Sequence, residues 1–375
     1  MKKNDKVGLI TYHSAYNFGS ALQAYGTVKT ISELGYDVDT IDYRTHSQEY
    51  RYKKDLSLKR GLKGFLCNLG FNFIKKQRKI RAEKFENFMQ DFLHLTPRKY
   101  SSYKEFTGDE LNYPILISGS DQIWNPGCDE FQFEPEDAMM PYFLQFGKDP
   151  KRISYASSPG DLSLRQMRAY RDYLRNYDIL SMREPGALEY AEKVSDREIE
   201  LVCDPTWLLD KDEWLSLEGI PEAPSKPYIF VYILYWSYPT IKMWMQNIKK
   251  LAKQKGLDIY CISPVSYYSD KEINMVQDAG PLDFLSLIAH ADLVITSTFH
   301  GTIFSMNFEV PFFSCYAQSR QMQMLHKCDL EDRMINSPGQ IFDDDAFDMD
   351  FTHSREIIRE FRETSKNFLK NALNS

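Results

Sequence analysis

Short apolar runs alternate with amphipathic stretches along most of this chain, a pattern typical of parallel strands with helices between them. In the first half, the runs predict strands at 7–12, 37–43, 114–118, 153–157, 179–182 and 199–203, and helical spacing predicts helices at 20–34, 164–174 and 186–194. In the second half, strands are predicted at 228–234, 258–263, 293–296 and 311–316, with helices at 240–253, 281–289, 302–307 and 354–373. The chain is therefore predicted to be an α/β protein with two Rossmann-like domains.

The prolines at 221, 224 and 227 interrupt this alternation and mark the predicted domain boundary. The 375 residues also exceed the roughly 250 to 300 residues of a usual single core. We expect an N-terminal Rossmann-like domain at 1–220 with a basic helical insertion near 51–100, a C-terminal Rossmann-like domain at 228–352 and a C-terminal amphipathic helix at 353–375. An interdomain cleft faced by strand carboxyl ends is the expected substrate site.

The stretch 51–84 stands out by its charge. It contains twelve Lys or Arg residues and two acids, a formal +10 within a chain of net charge −7. Leu62, Phe65, Leu66, Leu69 and Phe73 recur within it at helix-like spacing. Such an element either lies on an anionic membrane surface or packs on its own domain with a solvated basic face. We expect weak, salt-sensitive binding to anionic vesicles if the first reading holds.

Composition excludes several function classes. Hydrophobic residues make up 43% of the chain and the net charge is modest, which argues against disorder and against a nucleic-acid-binding protein. The six cysteines show no C-x-x-C spacing, and no His and carboxylate cluster has ligand spacing, so neither a metal nor another cofactor is expected. No stretch approaches the roughly 20 apolar residues needed to cross a bilayer, so we expect a cytoplasmic protein, with any membrane contact peripheral.

A histidine lies at the carboxyl end of one predicted strand. The strand at 293–296 leads into Ser297, Thr298, Phe299, His300 and Gly301, and a helical stretch follows. Free backbone N–H groups and the helix dipole favour an anion at such a junction. The histidine can change charge near neutral pH, and the glycine allows close approach of a ligand. The alternative is a turn histidine that only caps or packs on the helix.

Three further clusters follow predicted strand ends. Asn17, Ser20 and Gln23 lie in a small polar loop and helix start that lacks both G-x-G-x-x-G and a Walker lysine, so the loop either contacts substrate or caps the helix. Asp121, after a strand and a glycine turn, either takes a proton from a substrate hydroxyl or caps a helix. Arg183 either clamps a carboxylate or phosphate or joins a surface ion pair.

In order and spacing, these clusters resemble the polysaccharide pyruvyl transferase family over nearly the whole chain. The matching segments are 17–25, 41–44, 119–124, 181–183, 203–206, 283–285 and 297–301. The resemblance implies two Rossmann-like domains similar to B-type glycosyltransferases. It also implies phosphoenolpyruvate as donor, a sugar or lipid-linked glycan diol as acceptor, and a cyclic pyruvate ketal on a surface polysaccharide as product.

Carried over to this chain, the resemblance implies that His300 meets phosphoenolpyruvate, that Arg183 holds one of its anionic groups and that Asp121 lies near the acceptor hydroxyl. Several members carry Arg where this chain has Thr298, so one anion clamp is missing or comes from elsewhere. Arg320 is the preferred substitute and Arg333 the second choice. A nucleotide-sugar-dependent glycosyltransferase and a non-catalytic binding protein of glycan assembly remain as alternatives.

Overall fold

The computed structural model describes residues 6–52, 75–131, 133, 135–234, 237–262, 270–342 and 346–375. The chain divides into two compact units. The first comprises Met1–Lys54, Glu86–Leu209 and Glu360–Ser375, and the second comprises Asp55–Phe85 and Asp210–Arg359. Most of the basic stretch at 51–84, including its apolar positions at 62–73, lies outside the described residues, so the membrane hypothesis for it stays a prediction.

The first unit is built on a parallel sheet of order β2-β1-β3-β4. Its strands are β1 (Lys6–Ile10), β2 (Asp37–Thr40), β3 (Ile115–Ser118), β4 (Lys151–Ser154), β5 (Ser181–Met182) and β6 (Glu200–Leu201). The helices are α1 (Phe18–Glu33), α2 (His46–Tyr52), α3 (Lys75–Phe92), α4 (Pro135–Met139), α5 (Leu164–Met167), α6 (Arg171–Arg175) and α7 (Pro185–Ser195), and the first half of α3 belongs to the second unit. The short β5 and β6 form a separate parallel pair.

The second unit is built on a parallel sheet of order β12-β11-β10-β7-β8-β9. Its strands are β7 (Tyr228–Tyr232), β8 (Asp258–Ile262), β9 (Asn274–Met275), β10 (Leu293–Thr296), β11 (Phe312–Cys315) and β12 (Met334–Ile335). The helices are α8 (Lys211–Leu215), α9 (Tyr238–Lys255), α10 (Pro281–Ala289), α11 (Phe299–Phe308), α12 (Ser319–Lys327) and α13 (Thr352–Asn374), the last of which continues into the first unit.

Both sheets are covered by side chains on two faces. Every residue of β3, β7, β10 and β11 is buried, which explains why these strands read as continuous apolar runs rather than alternating ones. The prediction of an α/β protein with two Rossmann-like units is confirmed. None of the helices in the described ranges is both long and apolar enough to span a membrane.

Several element boundaries differ from the prediction. The strand predicted at 37–43 ends at Thr40. Ile41 makes the last bond to β1, and from Asp42 onward the chain bonds to Thr96 and Tyr100 instead. The helix predicted at 164–174 is broken by a 3₁₀ turn between α5 and α6. The helix predicted at 302–307 begins three residues earlier, because Thr298 caps it.

Candidate functional site

Three carboxylates of the first unit form a buried cluster around Arg183. Its Nε donates to Glu184 Oε1 at 2.9 Å and its Nη2 donates to Asp121 Oδ1 at 3.2 Å. Its Nη1 donates to a carboxylate oxygen of Asp204 and to Ser120 Oγ. We call Arg183, Asp121, Glu184 and Asp204 the carboxylate cluster. The cluster joins the segments that follow β3, β5 and β6. The structure therefore brings Asp121 and Arg183 together at strand ends, as expected.

Burial sets the character of this cluster. The side chains of Arg183 and Asp204 are each 1% exposed, that of Glu184 is 7% exposed and that of Asp121 is 14% exposed. Burial lowers the pKa of the Arg183 guanidinium, but Glu184, Asp204 and Asp121 raise it more, and the net shift is upward. Arg183 therefore stays charged, and this is a buried ion network rather than the surface ion pair of the alternative reading.

Asp121 is fixed from three directions. Ser20 Oγ donates to its Oδ2 at 2.9 Å, Arg183 donates to its Oδ1, and the backbone N–H of Gln122 donates to Oδ1 at 2.8 Å. Its own backbone has a φ of +74°, a left-handed conformation uncommon for a non-glycine residue. Such conformations often mark functional sites, because surrounding contacts must hold them.

Gln23 joins the start of α1 to the segment before Asp121. Its side-chain Nε2 donates to Thr11 Oγ1 at 2.8 Å and to Ser20 O at 2.9 Å, and its Oε1 accepts from Ser120 N at 3.1 Å. Asn17 is the N-cap of α1, where its side chain accepts from Gly19 N at 3.0 Å. In this structure Gln23 and Asn17 bond to the protein itself, and their predicted contact with substrate stays a prediction.

Gly119→Ala is expected to destabilise the first unit strongly. Gly119 has a φ of +125°, and an added Cβ would lie 1.9 Å from the carbonyl oxygen of Tyr155. Because that atom belongs to the backbone, the clash can be relieved only by moving a chain segment. We expect the free energy of unfolding to fall by about 2–5 kcal/mol, measured by urea denaturation.

Gly35→Ala is the matched control for this substitution. Gly35 also has a positive φ, +91°, but nothing lies within 4 Å of its Cβ position. It should therefore show the backbone strain alone, about 1 kcal/mol. Equal losses for the two variants would mean that the close approach at Gly119 contributes nothing.

In the second unit, the junction between β10 and α11 is held by hydroxyl groups. Thr298 is the N-cap of α11, and its Oγ1 accepts from Gly301 N at 2.8 Å. Thr296 Oγ1 accepts from Thr298 N at 3.1 Å. A Cβ on Gly301 would lie 2.2 Å from Thr296 Oγ1, so a glycine is required here by the packing of the two hydroxyls. Ser297 Oγ accepts from Leu234 N at 2.9 Å, which ties the junction to the end of β7.

His300 is the second residue of α11 and is partly exposed. Its ring packs edge-on against Phe299, with the ring centroids 5.3 Å apart. The Arg320 guanidinium, near the start of α12, lies over the same Phe299 ring, 5.5 Å from its centroid. Arg320 and His300 thus share Phe299 as a neighbour. The hydroxyl of Thr298 is used as a helix cap.

Arg333, the second-choice clamp, is 5% exposed. Its Nη2 donates to the carbonyl of Asp348 at 3.2 Å, and its guanidinium lies 5.9 Å from the Phe313 ring centroid. These contacts give Arg333 a packing role in the second unit. The geometry therefore favours Arg320 over Arg333 as the substitute cation near His300.

A buried polar chain connects the two helices that carry these groups. Thr302 Oγ1 lies 3.0 Å from Ser314 Oγ, and Gln321 Nε2 donates to Ser314 Oγ at 3.1 Å. All three side chains are at most 3% exposed. The chain fixes α11 against α12 and so fixes His300 relative to Arg320.

Sequence reasoning missed two members of the carboxylate cluster. Asp204 was part of a matching family segment at 203–206, but no role was assigned to it. Glu184 directly follows Arg183, and its Oε2 is buried without a hydrogen-bond partner among the described residues. The signal that could have found both is the concentration of charged residues directly after short apolar strands. The prediction that His300, Asp121 and Arg183 act on one substrate stays a prediction, since the two groups lie in different units.

Comparison of the fold with solved structures finds sugar-nucleotide enzymes. The chain is similar to UDP-GlcNAc 2-epimerase from Neisseria meningitidis bound to UDP-GlcNAc, at 8% identity over 99% of each chain with a TM-score of 0.51. It is also similar to UDP-N-acetylglucosamine 2-epimerase from Rickettsia bellii, at 8% identity over 98% of this chain and 96% of that chain with a TM-score of 0.52. At such identities the likeness shows the fold alone, that of the B-type glycosyltransferase class.

Comparison of the sequence identifies the family. A search among curated proteins found no significant match. The family model for polysaccharide pyruvyl transferase matches residues 17–319, a span that includes both the carboxylate cluster and the His300 junction. With that match over most of its length, this chain belongs to the polysaccharide pyruvyl transferase family.

Proposed function

We propose that this protein transfers the pyruvyl group of phosphoenolpyruvate to two hydroxyls of one sugar in a glycan, releasing phosphate. In the first half of the reaction, C3 of the enol phosphate takes a proton and a sugar hydroxyl adds to C2 while losing its proton. In the second half, a neighbouring hydroxyl of the same sugar bonds to C2 as the bond from C2 to the phosphate oxygen breaks, and the proton of that hydroxyl leaves with the phosphate. The product is a cyclic ketal, and one phosphate is released for each ketal formed.

The observation that carries this proposal is the state of Asp121. Its carboxylate is the most exposed of the three around Arg183, and Ser20 and Arg183 hold both of its oxygens in place. A carboxylate held in place at strand ends can accept the proton of an acceptor hydroxyl. Asp204 and Glu184 are too buried for that role and serve to hold Arg183.

The Arg183 side chain is bonded to three carboxylates of the protein and is almost fully buried. Four of its hydrogen-bond donations go to Glu184, Asp204, Ser120 and Asp121. We therefore assign it a positioning role: it orients the carboxylate of Asp121.

The His300 junction supplies the complementary chemistry. The N-terminus of α11 favours an anion, and His300 and Arg320 provide a group that can donate a proton and a permanent positive charge. Protonation of C3 needs such a donor, and departure of phosphate needs positive charge beside its oxygens. We assign His300 to the proton and Arg320, in place of the family arginine, to the anionic groups of the donor.

The test is incubation of the protein with phosphoenolpyruvate and a panel of methyl hexosides and lipid-linked glycans. Phosphate release should match the appearance of a glycan heavier by pyruvate less one water in the mass spectrum. His300→Ala should abolish both signals, whereas His326→Ala, an exposed histidine of the same unit, should leave them unchanged. Phosphate release without a ketal, or no reaction with any acceptor, would contradict the proposal.

Thermal shift separates the proposal from its two alternatives. A pyruvyl transferase should be stabilised by phosphoenolpyruvate, and a nucleotide-sugar-dependent glycosyltransferase by a nucleoside diphosphate. A non-catalytic binding protein of glycan assembly should retain its binding when Asp121 and His300 are replaced. The epimerase likeness alone does not favour a nucleotide, because it concerns only the fold.

A further inference from the structure

A cavity of about 280 Å³ lies in the first unit, apart from the carboxylate cluster. Tyr103 and Phe133 provide its aromatic surface, with the fully buried Tyr43 behind them, and His46, Lys104 and Asp137 provide polar groups. Its volume is near the lower end of the range for small-molecule sites, which suits a ligand of one sugar residue better than a nucleotide.

The aromatic surface continues outward from the cavity. Phe133 is 44% exposed and packs edge-on against Tyr50, which is 53% exposed, with the ring centroids 5.6 Å apart. In the described part of the first unit, these two are the large hydrophobic side chains that remain exposed. Two adjacent exposed rings at the edge of a cavity are costly in water, and they are typical of a surface that a ligand covers.

The charges on the cavity wall are balanced. Lys104 and Asp137 are both exposed, and neither forms an ion pair with another described residue. One cation and one carboxylate of this kind favour a neutral ligand with many hydroxyls, because each charge can bond to a hydroxyl without repelling a ligand charge. A phosphate or nucleotide would instead meet the carboxylate of Asp137.

Hydrogen bonds within the protein hold the cavity wall in place before any ligand binds. Thr45 Oγ1 donates to the carbonyl of Glu130 at 2.8 Å, and Ser47 Oγ accepts from the backbone N–H of Phe133 at 2.8 Å. Tyr43 Oη donates to the carbonyl of Ala138 at 3.0 Å, and Tyr103 Oη donates to that of Gln145 at 2.6 Å. Both phenolic groups are therefore occupied, and because Tyr43 is fully buried, the ring surface of the partly exposed Tyr103, with that of Phe133, is the part available to a ligand.

The cavity and Asp121 belong to the same edge of the same sheet. Tyr43 and His46 follow the carboxyl end of β2, and Asp121 follows that of β3, with β1 between them. The segment that begins at Asp121 also ends beside the cavity, at Phe133. A glycan with one sugar at Asp121 could therefore extend toward the aromatic surface.

We propose that this cavity binds a sugar residue of the glycan acceptor adjacent to the one that receives the pyruvyl group. The sugar ring stacks through its C–H face on Phe133, and its hydroxyls bond to Asp137 and Lys104. This inference rests on the proposed function for the identity of the acceptor, but the binding of a saccharide at Phe133 is a separate claim. It makes the enzyme prefer an oligosaccharide to a single sugar.

The test measures saccharide binding and transfer separately. The probes are methyl hexosides and methyl glycosides of their disaccharides, titrated calorimetrically without phosphoenolpyruvate. Disaccharides should bind more tightly than hexosides. Phe133→Ala should weaken disaccharide binding about tenfold, Asp137→Asn should weaken it as well, and Phe133→Trp should retain it.

Matched controls are available for both positions. Tyr238→Ala removes an exposed ring of the second unit, and Asp109→Asn removes an exposed carboxylate of the first unit, so both should bind disaccharides as the unaltered protein does. Wild-type affinity in Phe133→Ala, or no measurable binding of any disaccharide, would overturn the inference. Ketal formation with unchanged affinity in Phe133→Ala would overturn the subsite and leave the proposed function standing. If Phe133→Ala lost disaccharide binding but even the unaltered protein formed no ketal, the subsite would stand and the proposed function would be overturned.

Discussion

Replacing Asp121 with Asn is expected to lower the rate of ketal formation about 10²–10⁴-fold, with the protein still folded. The amide keeps the size of the carboxylate but cannot accept the proton of the acceptor hydroxyl. Because Asp121 lies on the acceptor side of the reaction in the proposed mechanism, the affinity for phosphoenolpyruvate should change little. The measurements are kcat from phosphate release, and binding of phosphoenolpyruvate by calorimetry.

Two controls distinguish loss of the proton-accepting carboxylate from changes in the residues around it. Asp109→Asn replaces an exposed carboxylate of the same unit that bonds to Lys148 and Asn112, and it should leave kcat unchanged. Ser20→Ala removes a single hydrogen bond to Asp121 Oδ2, so it should reduce kcat much less than Asp121→Asn. Full activity of Asp121→Asn would refute the assignment of the base, and a matching loss in Asp109→Asn would show that the effect is not local.

The strands most reliably predicted from the sequence were those buried on two faces. β10 was predicted at its observed bounds because four consecutive apolar or β-branched residues precede a serine and a threonine cap. By contrast, the end of β2 depends on bonds to residues more than fifty positions away, such as Tyr100 to Asp42 and Arg44. No local pattern carries that information, so the predicted strand was too long.

The same limit applies to the candidate site. That Asp121 and Arg183 meet could be expected, since each follows a strand of a parallel sheet. The two further carboxylates give only a weak signal, their place directly after short apolar strands, because a Glu beside an Arg is far more often a solvated surface residue than a buried partner. Gly301 shows a related limit: the sequence suggested room for a ligand, and the structure adds a packing reason, the hydroxyls of Thr296 and Thr298 at its Cβ position.

Thr298 and Arg320 bear on the proposed source of positive charge beside His300. The side chain of Thr298 caps α11, which a longer arginine at this position would do less well. Arg320, on the following helix, brings a guanidinium to Phe299, the ring that also contacts His300. The buried polar chain of Thr302, Ser314 and Gln321 joins the two helices, so the proposed role of Arg320 depends on the packing of these residues as well.

Replacing Arg183 with Met is expected to be among the most damaging single changes to stability. It would leave Asp121, Glu184 and Asp204 without their shared cation in a site where two of the three are almost fully buried. Removing one partner of a buried ion network costs about 3–5 kcal/mol, because the remaining charges lose both water and their counter-ion. The free energy of unfolding from urea denaturation is the measurement.

Two variants make this prediction decisive even if the Met variant does not fold. Arg183→Lys keeps the charge but loses the planar set of donors, so it should lie between the Met variant and the unaltered protein. Arg171→Ala removes an exposed arginine whose partner, Asp196, is also exposed, and it should cost no more than about 1 kcal/mol. Stability of Arg183→Met equal to that of Arg171→Ala would mean that the carboxylates find other partners, and Asp121 would then need a different explanation for its fixed orientation.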